Sequence, residues 1–126
     1  MKALNDLSYK IRGAIFTVFN ELGPGLLESV YESALARELV DSGLIVATQV
    51  PLPVIYKDIK LEIGFRIDIL VENQVVIEVK SVEMLHDVHK KQLLTYLRLS
   101  NKKLGILVNF NSSKLVDKES LIRIIN

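Results

Sequence analysis

The amino-acid sequence predicts an α/β domain in which a mixed β-sheet is flanked by helices. Three observations carry this. Apolar residues recur at helical spacing from the N-terminus through Val40; the pattern then switches to β-branched, extended segments between Ile45 and Lys80; and a further helical stretch ends in a short, wholly apolar strand, Leu104–Phe110. Helical and strand periodicities in that succession argue a sheet covered by helices.

Each element has a local reason. From Asp6 to Glu21 the apolar positions Leu7, Ile11, Ala14, Ile15, Val18 and Phe19 follow one helical face. Gly23-Pro24-Gly25 stops that helix and starts a second, Leu26–Val40, which ends at Asp41-Ser42-Gly43, where Gly43 suits a left-handed cap. Ile45–Tyr56 reads as extended, with Pro51 and Pro53 marking an edge strand or an irregular arm. Leu61–Val71 and Val75–Lys80, split by Glu72-Asn73-Gln74, read as a hairpin. His86–Ser100 returns to helix, Leu104–Phe110 is a strand buried on both faces, and Ser120–Asn126 is a weaker last strand. The order is ααβββαβ, then β.

Composition narrows the chemistry. The 126 residues, 49% hydrophobic and 25% charged, suit one globular domain over residues 1–126 and exclude wholesale disorder. Such a chain buries about two-thirds of its unfolded surface. There is no cysteine, which removes disulfides, thiol nucleophiles and Cys-ligated metal sites, and two histidines, His86 and His89, cannot make a structural zinc site alone. Sixteen basic against 15 acidic side chains give a net charge of +1, so any nucleic-acid contact has to come from a local patch. The longest charge-free stretch, Ser42–Tyr56, is too short and too proline-broken to span a bilayer, and the charged N-terminus is not a secretory signal. The expectation is a cytoplasmic protein without a membrane partner.

The hairpin gathers the informative charges. Because side chains alternate along a strand, Phe65, Ile67, Ile69 and Val71 form one apolar set and Val75, Ile77 and Val79 another. Placing both sets on the core face fixes the register by pairing Val71 with Val75. Asp68 then lies opposite Glu78, two carboxylates about 5 Å apart that repel unless something compensates. A divalent cation is one compensator, since hard oxygens on adjacent strands fit Mg²⁺ or Mn²⁺; Lys80 and Arg66 on the same face are others. The same alternation also suits a solvated sheet face with a weak surface bridge. Glu28 sits in the first turn of the second helix, at the margin of its apolar arc, where the helix dipole alone would favour an acid. Glu38 falls in that arc without explanation. Tyr31, one turn on from Glu28, suits packing better than catalysis. Gln92 and Tyr96 share a face of the later helix. The spacing of His86 and His89 allows metal binding, though a pair at a helix start is more often solvated. Lys90, Lys91, Arg98, Lys102 and Lys103 cluster on and after that helix, as a solvated face or a backbone-tracking patch.

These residues resemble a known family. Gly25-Leu26-Leu27-Glu28-Ser29-Val30-Tyr31 is similar to the signature of the bacterial and archaeal GxxExxY proteins. Pro51-Leu52-Pro53-Val54, Gly64-Phe65-Arg66-Ile67-Asp68, Val76-Ile77-Glu78-Val79-Lys80 with Ser81, Gln92-Leu93-Leu94-Thr95-Tyr96-Leu97 and Asn109-Phe110 follow in the family's order and cover nearly the whole chain. That family is placed in the PD-(D/E)XK nuclease-like superfamily, so the resemblance implies a restriction-endonuclease-like αβββαβ core with an extra N-terminal helix. It implies that Asp68 is the first acid of the motif, Glu78-Val79-Lys80 the (D/E)XK element, Glu28 the acid of the first core helix, and Gln92 and Tyr96 a flanking helix motif. Ile67 stands where many members carry proline.

The implied activity is Mg²⁺- or Mn²⁺-dependent hydrolysis of phosphodiester bonds in DNA or RNA. Asp68, Glu78 and the Val79 carbonyl would hold the metal with Glu28, Lys80 would orient water and stabilise the transition state, and Gln92 and Tyr96 would position phosphate or water. The alternative is a nuclease-fold module that binds nucleic acid or protein without cutting. A small domain of near-neutral charge also suggests a homodimer or a protein partner.

Overall fold

In the computed structural model, which describes residues 2–126 apart from the side chains of residues 62 and 63, the chain runs α1 (Lys2–Leu22), α2 (Glu28–Asp41), β1 (Val46–Tyr56), β2 (Ile59–Val71), β3 (Val75–Lys80), α3 (Asp87–Ser100), β4 (Leu104–Asn109) and β5 (Leu121–Ile125). This is the expected order, with α1 beginning earlier than its apolar spacing suggests. Gly23 and Gly25 break the helical path with φ of 66° and 101°, which is why glycine flanks Pro24. Among the described residues no helix is long and apolar enough to cross a membrane.

The five strands lie in sequence order, β1-β2-β3-β4-β5. Neighbours are antiparallel except β3 and β4, which are parallel and therefore need the crossover that α3 supplies. The proline-bearing β1 is an edge strand, as expected. β4 is an interior strand, paired on both sides and buried at every residue, as its unbroken apolar run requires. The β2–β3 turn places Glu72 and Asn73 at φ of 53° and 52°, closed by Gln74 N–H on the Val71 carbonyl at 2.9 Å.

Two hydrophobic layers sandwich the sheet. On one face Leu7, Ile11, Ile15 and Val18 of α1 and Tyr31, Leu35 and Leu39 of α2 pack on Ile69, Val71, Ile77, Val79, Ile106 and Val108. On the other, Leu93, Tyr96 and Leu97 of α3 pack on Leu52, Ile67, Val76, Leu107 and Ile122. Gly105 lets α3 sit this close, since a Cβ there would stand 2.9 Å from the Leu93 side chain. Gly64 serves the irregular outer hairpin in the same way: a Cβ would collide with the Leu52 carbonyl where the β1–β2 register shifts.

The hairpin corrects one expectation. Val71 pairs with Val75 and Ile69 with Ile77, as the register argument requires. The ladder then stops, so Asp68 and Glu78 are not a cross-strand pair. Phe65, Ile67, Ile69 and Val71 do not share a face either. Ile69 and Val71 pack with α1 and α2, whereas Ile67 packs with α3 and Phe65 is 40% exposed. The reason is a roll of β1 and β2 together: Val46 lies on the α1–α2 side and Val50 on the α3 side. A uniform pleat cannot anticipate such a roll.

Candidate active site at the fork of two strands

β2 and β3 separate just beyond the Ile69–Ile77 rung, and the two acids fill the fork. Asp68 Oδ2 accepts the Val79 N–H at 2.9 Å, and Glu78 Oε1 faces the Asp68 N–H at 3.5 Å. Each carboxylate thus takes a backbone donor of the opposite strand, doing side chain to backbone what the ladder no longer does backbone to backbone. Glu78 is only 4% exposed, on the α3 side with Val76, because even-numbered residues of β3 turn that way. Burial pushes its carboxyl up to about 9, helped by the Asp68 charge and a side-chain hydrogen bond with Asp68, and opposed by Lys80. Glu78 therefore holds a proton at neutral pH even with the Lys80 ammonium acting on it.

α3 closes the site from above. Gln92 Nε2–H donates to Tyr96 Oη at 3.0 Å, which confirms that the two residues share a face. Burial raises the Tyr96 phenol to about 12, with the charges of Glu78 and Asp68 adding to the effect, so its hydroxyl stays protonated beside the acids. Its ring meets Phe65 at 5.2 Å. Tyr31 has a different task. Tyr31 is fully buried, stacks on Phe110 at 4.5 Å, donates its hydroxyl to the Gly23 carbonyl at 2.5 Å and accepts the Leu26 N–H at 3.0 Å. It ties the glycine turn to the entrance of α2.

Glu28 opens α2 and accepts the Ser81 N–H at 3.1 Å, while Ser81 Oγ–H donates to the Leu26 carbonyl at 2.6 Å. The end of β3 is thereby clamped to the start of α2. The Glu28 charge acts on Glu32 and His89, whereas Asp68 and Lys80 act on Glu78. Among the described residues, no three His, Cys, Asp or Glu side chains stand together as a metal-binding group. The oxygens available to a cation are the Asp68–Glu78 pair, while Glu28 is exposed and its recorded partner is the Ser81 amide.

Glu32 escaped the sequence reading, and His89 and Asn109 make bonds that their motifs did not indicate. Glu32, half-buried one turn beyond Glu28, accepts a hydrogen bond from Gln49 at 2.8 Å; burial first and the Asp68 charge second raise its carboxyl. Its signal was its spacing from Glu28, which puts both acids on one helix face. His89 accepts the His86 N–H at Nδ1 (2.9 Å), so the proton of the neutral ring sits on Nε2; burial, then Lys80 and His86, hold its pKa low. Asn109, 2% exposed, accepts the Val82 N–H at 3.0 Å and donates to the Val82 carbonyl at 2.9 Å, carrying sheet-like bonding past the end of β3. The basic cluster is mostly solvated: Lys91, Arg98 and Lys103 are exposed, and Lys90 bridges to Asp87 at 3.8 Å. A groove of about 250 Å³ between α1 and β5, lined by Arg12, Asp117 and Arg123, shares no residue with the acid set.

Searches of curated proteins and of solved structures each returned no match. The sequence profile of one superfamily, in contrast, matches residues 5–124, a span that takes in every element from α1 to β5. With the forked strands, the paired acids and the following lysine in place, that match shows that the chain belongs to the PD-(D/E)XK nuclease superfamily.

Proposed function

We propose that the protein is a metal-dependent nuclease that hydrolyses phosphodiester bonds in nucleic acid. The observation that carries this reading is the acid pair at the fork, with Glu78 buried against Asp68 and its carboxyl raised to about 9. Two crowded carboxylates suit a hard divalent cation, and Mg²⁺ characteristically binds through one or two carboxylates while keeping several waters. The donor set therefore fits Mg²⁺ or Mn²⁺ without a preassembled trio. Asp68, Glu78 and the Val79 carbonyl would hold the ion, with Glu28 joining directly or through water. Bound there, it would lower the pKa of water and offset charge on the scissile phosphate.

The chain's own groups do the rest. Glu78 would hold the ion as the carboxylate, with its proton released to solvent. The Lys80 ammonium, beside Glu78, orients the attacking water and offsets charge in the transition state; removal of such a group costs on the order of 10² to 10³ in rate. Tyr96 accepts from Gln92 and keeps its own O–H for a phosphate oxygen or water. Within the superfamily we place the chain with the GxxExxY proteins, a reading supported by the left-handed Gly25 and the buried hydroxyl contacts of Tyr31. With a net charge of +1, a homodimer or protein partner would extend the nucleic-acid surface.

The test is a cleavage assay over single- and double-stranded DNA and RNA. Cleavage should require Mg²⁺ or Mn²⁺ and vanish in Asp68→Ala. Cleavage that survives the substitution, or a chelator, overturns the reading. Metal-dependent binding without cleavage selects the non-cutting module instead.

A further inference from the structure

At one rung of the sheet three irregularities coincide. The β1–β2 ladder pairs Thr48 with Ile69 and Val50 with Ile67, and omits Gln49 and Asp68 between them. Gln49 has a left-handed φ of 52°, a conformation that a non-glycine residue keeps within a strand only when its surroundings impose it. Both strands also change faces of the sheet across this rung, since Val46 and Ile69 pack toward α1 and α2 while Val50 and Ile67 pack toward α3. Asp68 is thus missing from the β1–β2 and β2–β3 ladders alike.

Two contacts fix the reversed residue. Gln49 Nε2–H donates to Glu32 Oε1 at 2.8 Å, and the Gln49 carbonyl faces Arg66 Nη1 at 3.4 Å. The first is the stronger, and it ties the sheet to α2, the helix that also carries Glu28. We propose that Glu32 and Gln49 are positioning residues for Asp68. Their hydrogen bond locks the reversed backbone of β1, and this turns the Asp68 carboxylate out of the ladder and onto the Val79 amide.

The activity readout rests on the proposed nuclease function, but the geometry has a readout of its own, the exchange of the Val79 amide with solvent. The variants are Glu32→Ala, Glu32→Gln and Gln49→Gly. Glycine accepts the left-handed φ and removes only the side-chain lock, so that variant should fold if Glu32→Ala does not. Glu32→Gln keeps an oxygen to receive the Gln49 amide. In Glu32→Ala and Gln49→Gly, Val79 exchange should rise by about tenfold or more, while the amides of β4 keep wild-type rates. Under Mg²⁺, kcat should fall by about tenfold or more with KM within about twofold. Glu32→Gln should restore both quantities toward wild type. Unchanged Val79 exchange in Gln49→Gly, or a Glu32→Gln variant as impaired as Glu32→Ala, overturns the proposal. A wild-type protein that cuts nothing removes the nuclease reading, and Val79 exchange still decides whether Glu32 and Gln49 hold Asp68.

Discussion

The two faces of β3 do opposite work within six residues. Val75, Ile77 and Val79 point toward α1 and α2, are at most 1% exposed, and see only hydrocarbon. On the other face, Val76 is buried against α3, Glu78 is buried with a proton it would lose in water, and Lys80 is half-exposed. One face is uniform and the other graded, from grease to charge, toward the end where β2 departs. The strand can hold an unfavourable carboxyl because the apolar face anchors it, and stability and chemistry are separable along a single strand.

The largest expected effect falls on the uniform face. Ile77→Ala should cost about 2–5 kcal/mol in a denaturant melt, since it opens a cavity at a residue with no exposure. The same truncation costing less than about 1 kcal/mol would erase the contrast between the faces. Glu78→Gln should do the reverse and stabilise the metal-free protein while abolishing cleavage. Its sign follows from proton linkage. The folded carboxyl titrates near about 9 and the unfolded one near 4.5, so the folded state keeps a proton that the unfolded chain sheds. The resulting stabilisation is complete below the unfolded pKa and is lost as pH rises to the folded one. Wild-type Tm should therefore decline more steeply between pH 5 and pH 9 than that of Glu78→Gln, and parallel curves would contradict the buried proton. Saturating Mg²⁺ should raise wild-type Tm, by the equivalent of about 2.7 kcal/mol at a hundred times Kd, and leave Asp68→Ala unmoved. The smallest effect belongs to the solvated side of α3: Lys91→Ala should shift stability by no more than about 0.5 kcal/mol.

What was legible in the sequence followed from local pattern. Apolar parity fixed the Val71–Val75 register, because the opposite choice would have buried charge. The glycines around Pro24 marked the α1–α2 turn, and the unbroken run from Leu104 marked the buried interior strand β4. The roll at Gln49 and Asp68 was not legible. Its lock lies in Glu32, on another element, and nothing in Thr48-Gln49-Val50 departs from ordinary strand composition. Reading Phe65 and Ile67 on the same face as Ile69 failed for that reason. Of the residues singled out, Asp68 and Glu78 meet at the fork and Tyr96, bonded to Gln92, feels their charge, while Glu28 is exposed and bonds the Ser81 amide, 53 positions away in sequence.

The buried hydroxyl of Tyr31 sets it apart from Glu28, three residues earlier. The tyrosine is a rivet, set between two loop atoms beneath an aromatic lid, and the glutamate is a strap from what the rivet holds to the end of β3. A descendant that lost Glu28 would keep the buried turn and forfeit the acid together with its hold on Ser81. One that lost Tyr31 would keep the acid and no longer know where to put it.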